Sequence, residues 1–313
     1  MTKDVLRFEH VVKQFEGTTA VKDLNLTIGD GELFVLVGAS GSGKTTTLKM
    51  INRLIEPTDG NIYFNDKRLI DTDLRDLRWN IGYVLQQIAL FPNMTVAQNI
   101  ALIPQMKHWS KEQIRKTVDE MLTAVDLEPK QYRDRMPAEL SGGEQQRVGI
   151  CRALATKPPM VLMDEPFSAL DPISRTSLQD MVLRLHKKMK TTIVFVTHDM
   201  NEAMRLGDRI AVMREGVLQQ VATPEEIAAN PASNFVSDFF ASAAPEVLDT
   251  PLIELRRFAD KSTEAGEAQE GDPLRAILTP LGEGKSVTVA CQQGNFKVNA
   301  TQVMAFLADV AKD

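Results

Sequence analysis

The run Gly38-Ala39-Ser40-Gly41-Ser42-Gly43-Lys44-Thr45-Thr46 sets a glycine, then after four residues a second glycine with lysine and threonine directly behind it. Glycines let successive backbone N–H groups turn into one concavity, and a helix beginning there adds partial positive charge, so the implied chemistry is phosphate binding. Lys44 is the residue to neutralise the outer phosphates, and the Thr45 hydroxyl is the oxygen to hold Mg²⁺. A flexible turn could have the same composition; the apolar run before it and the helical pattern after it supply the context that the phosphate reading needs. Such a site also requires a second metal contact and a group to activate water. The apolar run Val161-Leu162-Met163 ends in Asp164 and Glu165, and strands of an open α/β sheet deliver residues to the ligand crevice at their carboxyl ends. Asp164 is assigned to Mg²⁺ and Glu165 to the general base, although two acids at a strand end are alone a weak signal. His198, after "TTIVFVT", is by itself more often a satisfied polar residue than a catalytic one, and the residues leave the question open. Phe15 is similar: an aromatic on a first hairpin is usually core, but its ring can also stack on a base.

A second stretch, "LSGGEQQRVGICRA" at 140–153, begins a helix unusually. Ser141 and Glu144 read as a capping box, yet Gly142 and Gly143 fill the first turn, where each costs about 1 kcal/mol against alanine.

The elements that must position these residues follow from periodicity. "VLRFEHVVKQF" and "GELFVLVGAS" read as strands, the second nearly continuous in apolar residues, as in a sheet buried on both faces. A helix is expected after "SGSGK", with Leu48, Ile51, Leu54 and Ile55 on one face, stopped by "EPTDG". From about Phe91 to about Pro158 the pattern is helical; there Ser110 and Gln113 form a capping box ahead of the stripe Ile114, Val118, Met121, Leu122 and Val125. Strands resume at "PMVLMDE", "TTIVFVTH" and "RIAVMREG", which makes the class α/β with a parallel sheet. The tail differs: "ASAAPEVLDTP" and "DKSTEAGEAQEGDP" read as linkers, "SVTVACQQGNFKVN" as a hairpin and "TQVMAFLADVAKD" as a helix.

Composition narrows the function classes. A chain of 313 residues, 43% hydrophobic and 25% charged, suits one large soluble domain with an appendage. The net charge of -6 provides no basic field, so direct nucleic-acid binding is disfavoured, and no Lys/Arg cluster marks an anionic lipid surface. Cys151 and Cys291, far apart and without metal-type spacing, suit a reducing cytoplasm. The start has no signal-peptide core, and no apolar run approaches the roughly 18 residues of a spanning helix. In a membrane process, other chains would cross the bilayer.

Taken together and in order, Gly38–Thr46, "LSGGEQQR", "VLMDEPFSALD" and "VTHD" resemble the nucleotide-binding subunits of ABC transporters, over residues 1 to about 240. The resemblance implies a P-loop NTPase (RecA-like) core with an antiparallel β subdomain, a helical subdomain inserted at about 91–158, and a small α+β extension at 241–313. It implies an ATPase using ATP and Mg²⁺, working as a head-to-tail dimer in which each ATP lies between the P-loop of one copy and the signature sequence of the other. Gly142 and Gly143 would then let the backbone approach the partner's γ-phosphate, with Ser141 adding a hydroxyl contact, and the ligand offsets the helix cost. Carried over, Phe15 stacks on adenine, Gln86 links Mg²⁺ and the attacking water to the transmembrane subunits, Asp171 lies at the dimer interface, and His198 contacts the γ-phosphate. Lys44 and Glu165 keep the roles given above. No motif position is missing, so an active ATPase is expected.

Within the importers, "LKMINRLIEPTDG" and "IGYVLQQIALFPNMTVAQNIALIPQ", with Gln86 and Gln87 before "LFP", are most similar to the quaternary-amine systems for glycine betaine, carnitine or choline. Ala89 departs from the glycine expected there. The implied partners are a second copy, transmembrane permease subunits and, indirectly, an extracytoplasmic or permease-fused substrate-binding protein, placing the chain peripherally at the cytoplasmic face of a bacterial membrane. The branch often ends in two CBS domains; residues 241–313 are too few for two, leaving a truncated one, regulatory or merely packed, near Ser286 to Val310. A GTPase lacks support because no Asn-Lys-x-Asp element is present, and a small-molecule kinase leaves "LSGGEQQR" unexplained. An ABC-type ATPase acting on DNA or ribosomes usually inserts a long coiled coil or doubles the cassette; here Lys44 and Ser141 lie 97 positions apart in a single cassette.

Overall fold

The computed structural model describes residues 3–243, 251–282, 285–292, 294–303 and 306. The first of two units, Met1–Ser233, runs β1 (Asp4–Phe15), β2 (Thr18–Gly29), β3 (Leu33–Val37), α1 (Lys44–Ile51), β4 (Asp59–Phe64), β5 (Lys67–Arg68), α2 (Leu74–Trp79) and β6 (Ile81–Val84). There follow α3 (Val96–Met106), α4 (Lys111–Ala124), α5 (Pro129–Tyr132), α6 (Gly142–Leu154), β7 (Met160–Asp164) and α7 (Pro172–Met189). It closes with β8 (Thr192–Thr197), α8 (Met200–Leu206), β9 (Arg209–Arg214), β10 (Val217–Ala222) and α9 (Pro224–Ala229).

Every residue of β3, β7 and β8 is buried, the burial that a continuous apolar run predicts for interior parallel strands. They belong to a sheet of order β10-β9-β3-β8-β7-β6, parallel except that β10 pairs antiparallel with β9. Its register aligns the strand ends: Val37 lies beside Thr197, Asp164 beside Val196, and Val84 beside Met163. The residues that follow four adjacent strands therefore emerge along one edge. A second sheet, β2-β1-β4-β5, is antiparallel and shares a core with the first through Phe8, Leu24, Phe34 and Leu48.

Between β6 and β7 the chain is helical, as the pattern predicts. The Ser110–Gln113 capping box starts α4, and a further one, Thr95–Gln98, starts α3. Within α3, Asn99 is fully buried; its side chain accepts from Phe91 N and donates to the carbonyls of Phe91, Met94 and Thr95, pinning the turn ahead of the helix. The α1 stripe is shorter than its periodicity predicts. The helix ends at Ile51, Arg53 turns left-handed at φ 52°, and Leu54 is left exposed, although Ile55 still packs on the core.

The second unit, Asn234–Asp313, begins with α10 (Asn234–Ala243). The division falls earlier than residue 240, because α10 is one continuous amphipathic helix. "ASAAPEVLDTP" thus starts inside a helix, and its residues 244–250 lie outside the described residues. The stretch "DKSTEAGEAQEGDP" is not a linker: it contributes β11 (Asp260–Lys261) and β12 (Ala268–Gln269), with Ala268 buried. Two-residue strands are too short to show a period, which is why the sequence hides them. They join the expected hairpin, β13 (Val287–Ala290) and β14 (Phe296–Val298), preceded by α11 (Leu278–Gly282), in a sheet of order β11-β14-β13-β12. Leu252, Leu255, Val287, Val289, Phe296 and Val298 fill this unit's own core. The terminal helix is present at residues 300–303 and 306; the rest of it lies outside the described residues.

Candidate active site

The loop after β3 requires glycine for two distinct reasons. Gly43, the N-cap of α1, has φ 100°, and a Cβ there would stand 2.5 Å from the Ala20 carbonyl oxygen. Gly38 has no room either, since its Cβ would collide with the Met213 carbonyl. Ala39, Ser40, Gly41 and Ser42 complete the turn, and Ser42 N donates to Ala39 O at 3.2 Å. Lys44 is buried at 4% exposure and curls back, its Nζ donating to Gly38 O at 2.7 Å and Ala39 O at 2.9 Å, with Ser42 Oγ at 3.4 Å. Burial holds its ammonium below the usual lysine range, opposed by the Glu165 and Asp164 carboxylates. The cation is thus held by carbonyl oxygens where phosphate oxygens would be stronger partners. Thr46 lies in the first turn of α1 beside Thr45.

The Thr45 hydroxyl donates to Asp164 Oδ1 at 2.9 Å, joining the start of α1 to the end of β7. Burial raises the Asp164 carboxyl, and the Thr45 hydrogen bond opposes that. A hydroxyl and a carboxylate brought together, with the Gln86 amide beside Glu165, make a hard-oxygen donor set. It fits Mg²⁺, which takes one or two protein carboxylates and fills its shell with phosphate and water.

Glu165 follows β7 in the left-handed region, φ 44°, an uncommon conformation for a residue with a side chain. Its backbone N donates to Val196 O at 2.9 Å. Its Oε2 accepts from Gln86 Nε2 at 3.2 Å and lies 3.1 Å from His198 Nδ1. The structure therefore brings Gln86, Glu165 and His198 together at the same sheet edge as Lys44, Thr45 and Asp164.

Ser141, Gly142, Gly143 and Asp171 lie elsewhere. Ser141 caps α6 in the predicted box with Glu144. Asp171 caps α7 by accepting from Ser174 N at 3.0 Å, and the Ser174 hydroxyl foremost, with that backbone bond, holds its carboxyl below the usual range. A Cβ at Gly143 would reach Ser174 Oγ at 4.0 Å, so the two helix starts are neighbours. Among the described residues no hydrogen bond or ion pair connects this pair of helix tips to Lys44, Thr45 or Glu165. Phe15, at the end of β1, is 43% exposed, with Lys13 Nζ 4.8 Å from its ring centroid.

Three contributors escape sequence reasoning. Burial and the Asp164 carboxylate push the Tyr83 phenol up, and its hydroxyl has no hydrogen-bond partner among the described residues. Behind His198, buried Glu202 accepts from Thr197 Oγ1 at 2.6 Å, while Thr197 Oγ1 also accepts from Asp199 N at 3.0 Å. Tyr132 donates to Glu144 at 2.6 Å. Only for Glu202 is there a local signal, an acid three residues after the helix-capping Asp199.

The chain is similar to known proteins in sequence and in fold. The family described as "ABC transporter" matches residues 21–168. The carnitine transport ATP-binding protein OpuCA of Listeria monocytogenes is 49% identical over 271 residues, covering 83% of this chain and 68% of that one. The glycine betaine uptake system ATP-binding protein YehX of Escherichia coli is 43% identical over 286 residues, covering 91% of each. Among solved structures, an ATP-binding cassette captured as a post-hydrolysis dimer with ADP and Pi superposes with a TM-score of 0.63 at 36% identity, covering 70% of this chain and 98% of that one.

The network behind His198 yields a test. Thr197→Val keeps the shape of the side chain and strands one oxygen of the buried Glu202 carboxylate, the other keeping Gln179 Nε2 at 3.4 Å and Arg175 Nε at 3.9 Å, an expected loss of about 2 kcal/mol in denaturant unfolding at neutral pH. Burial raises the Glu202 carboxyl above the ordinary range. Lowering the pH through that raised titration neutralises the stranded charge, so the difference from wild type should shrink in acid; a penalty that grows in acid contradicts the assignment.

Proposed function

The chain belongs to the ABC transporter family as an ATP-binding subunit, and on that footing we propose that it powers import of a quaternary-amine osmoprotectant such as glycine betaine, carnitine or choline through separate transmembrane subunits. The observation that carries the ATPase reading is the convergence of Gln86, Glu165 and His198 beside the Thr45–Asp164 pair and buried Lys44. The relatives' names support the substrate class, as does the "KMINRLIEPT" and Gln86-Gln87 likeness. Ala89 is no obstacle to it: its φ is not left-handed, and the neighbouring contact, Arg152 Nη1 donating at 2.7 Å, uses only its carbonyl oxygen.

In this reading the P-loop amides and Lys44 bind the triphosphate, Lys44 exchanging backbone carbonyls for phosphate oxygens. Phe15, exposed at its strand end, stacks on adenine. Thr45, Asp164 and Gln86 would hold Mg²⁺, which neutralises phosphate charge when bound. Glu165 accepts a proton from the attacking water while Gln86 and His198 orient its carboxylate, and His198 can then turn to the γ-phosphate.

A second copy, paired head to tail, supplies Ser141, Gly142 and Gly143 to the γ-phosphate and Asp171 to the interface. The support is steric: a Cβ at Gly142 would meet nothing within 4 Å, so nothing in the chain's own packing requires glycine there. The positively polarised N–H groups of Gly142 and Gly143, which have no side chain of their own, suit an incoming anion. Dimer closure pulls on the helical segment and the Gln86 loop, where the permease docks, at the cytoplasmic face of the membrane. No helix among the described residues is long and apolar enough to cross a bilayer.

The C-terminal unit is proposed as a truncated CBS-like regulatory element. Its order β12, α11, β13, β14 and a final helix, with β12 parallel to β13 and β13 antiparallel to β14, supports that reading.

Three outcomes follow. Glu165→Gln should bind ATP normally in equilibrium titration and lose at least about a hundredfold in turnover, and ATP-dependent uptake of labelled betaine in reconstituted vesicles should fall with it; wild-type turnover removes Glu165 from the role of base. Gly142→Ala and Gly149→Ala, both in α6 with open space at Cβ, should each raise unfolding stability by about 0.5–1 kcal/mol, but only Gly142→Ala should weaken ATP-driven dimerisation, by about tenfold or more. Equal dimerisation by the two variants would falsify the assigned partner contact. Truncation after Ser233 should preserve ATP hydrolysis and abolish the dependence of uptake on osmolarity; unchanged activation leaves the tail without a regulatory role.

A further inference from the structure

The hydroxyl of Ser141 is held in a small network. Ser141 Oγ accepts from Glu144 N at 3.3 Å and donates to Glu144 Oε2 at 2.9 Å; Ser141 N donates to the same oxygen at 2.7 Å. The other carboxylate oxygen, Oε1, accepts from the Tyr132 hydroxyl at 2.6 Å, the short length of a bond to a charged acceptor. These bonds, Tyr132 foremost, hold the Glu144 carboxyl below the usual range. The Arg135 guanidinium stands 4.4 Å from the Tyr132 ring centroid and adds positive charge beside the pair.

Tyr132 is itself fixed. The backbone on its C-terminal side is bonded to α3, with Ala97 N donating to Arg133 O and Val96 N to Arg135 O, each at 2.9 Å. The Arg133 side chain pairs with Asp119 of α4 at 3.1 Å.

A carboxylate in the first turn of α6 suits the helix N-terminus, but it is a like charge to any triphosphate arriving there. With one oxygen taken by Tyr132, the Glu144 side chain cannot rotate freely, and the other oxygen stays on Ser141. We propose that Tyr132 is a positioning residue for the in-trans half of the ATP site: by holding Glu144 it keeps the carboxylate on the backbone N–H of Ser141, so that the charge does not swing towards the γ-phosphate of a nucleotide bound to a second copy and the Ser141 hydroxyl proton is free to pass from Glu144 to that phosphate. This rests on the head-to-tail pairing proposed above.

The test uses the full chain carrying Glu165→Gln, in which ATP is bound but not consumed, and measures ATP-driven dimerisation by sedimentation. Adding Tyr132→Phe, the loss of one charge-assisted hydrogen bond, should weaken the dimer about tenfold, and adding Glu144→Ala, which releases Ser141 as well as Tyr132, should weaken it at least as much. Tyr132→Phe in the Glu144→Ala background should change it by less than about twofold, because the tyrosine then has nothing to hold. In the hydrolysing protein, Tyr132→Phe should raise KM for ATP by a similar factor and leave kcat within about twofold. Glu144→Gln, whose neutral amide still accepts from Ser141, should restore dimerisation in the Tyr132→Phe protein to within about threefold of the parent. The proposal is overturned if Tyr132→Phe dimerises like its parent, or if it weakens the dimer equally with and without Glu144. Should the Glu165→Gln parent bind ATP and stay monomeric, the pairing itself falls, and this inference with it.

Discussion

Burial of β3, β7 and β8 on both faces is the constraint from which the candidate site follows. With no wet face, these strands hydrogen-bond to one another and to the flanking β6 and β9, and their parallel register is fixed along the whole length. A slip of one residue in β7 would withdraw Asp164 from Thr45 and reverse the side on which Glu165 emerges. Aligned strand ends turn residues separated by 119 positions, Thr45 and Asp164, into hydrogen-bonded neighbours. They also bring Gln86 and His198, from two further chain segments, to Glu165 beside Asp164.

Charge is concentrated at this edge and is costly there. Lys44 is shifted down and Asp164 up, both by burial. Each charged form is therefore held less favourably than in water, and a ligand that brings negative phosphate to Lys44 and positive charge to Asp164 relieves both. Glu165 adds a left-handed backbone at the same place. Strain and desolvation gathered in a few residues are stable only because the dry sheet beneath them is so heavily determined.

The start of α6 presents the opposite situation: exposed, unstrained and short of helix propensity. Its capping box satisfies the helix end, and Tyr132 reinforces that box from a neighbouring segment. Yet Gly142 faces open space and answers to nothing within the chain. Both clusters present positive polarity, one through loop amides and the Lys44 cation, the other through the N–H groups of Gly142 and Gly143 at the start of α6.

Sequence alone determined the parallel α/β core, the phosphate loop, the paired acids after β7 and the capping boxes of α4 and α6, because each depends on neighbours within a few positions or on an unbroken apolar run. Residue types and spacing also raised the question of why Gly142 and Gly143 occupy the first turn of a helix. Tertiary structure alone decided that His198 and Gln86 meet at Glu165, that Glu202 stands beneath the His198 turn, that Tyr132 reaches Glu144, and that two-residue strands complete the C-terminal sheet. Those relations join residues far apart in the chain or elements too short to carry a period. Chain order encodes local geometry, whereas such contacts arise only when separate elements pack and their strand register is set.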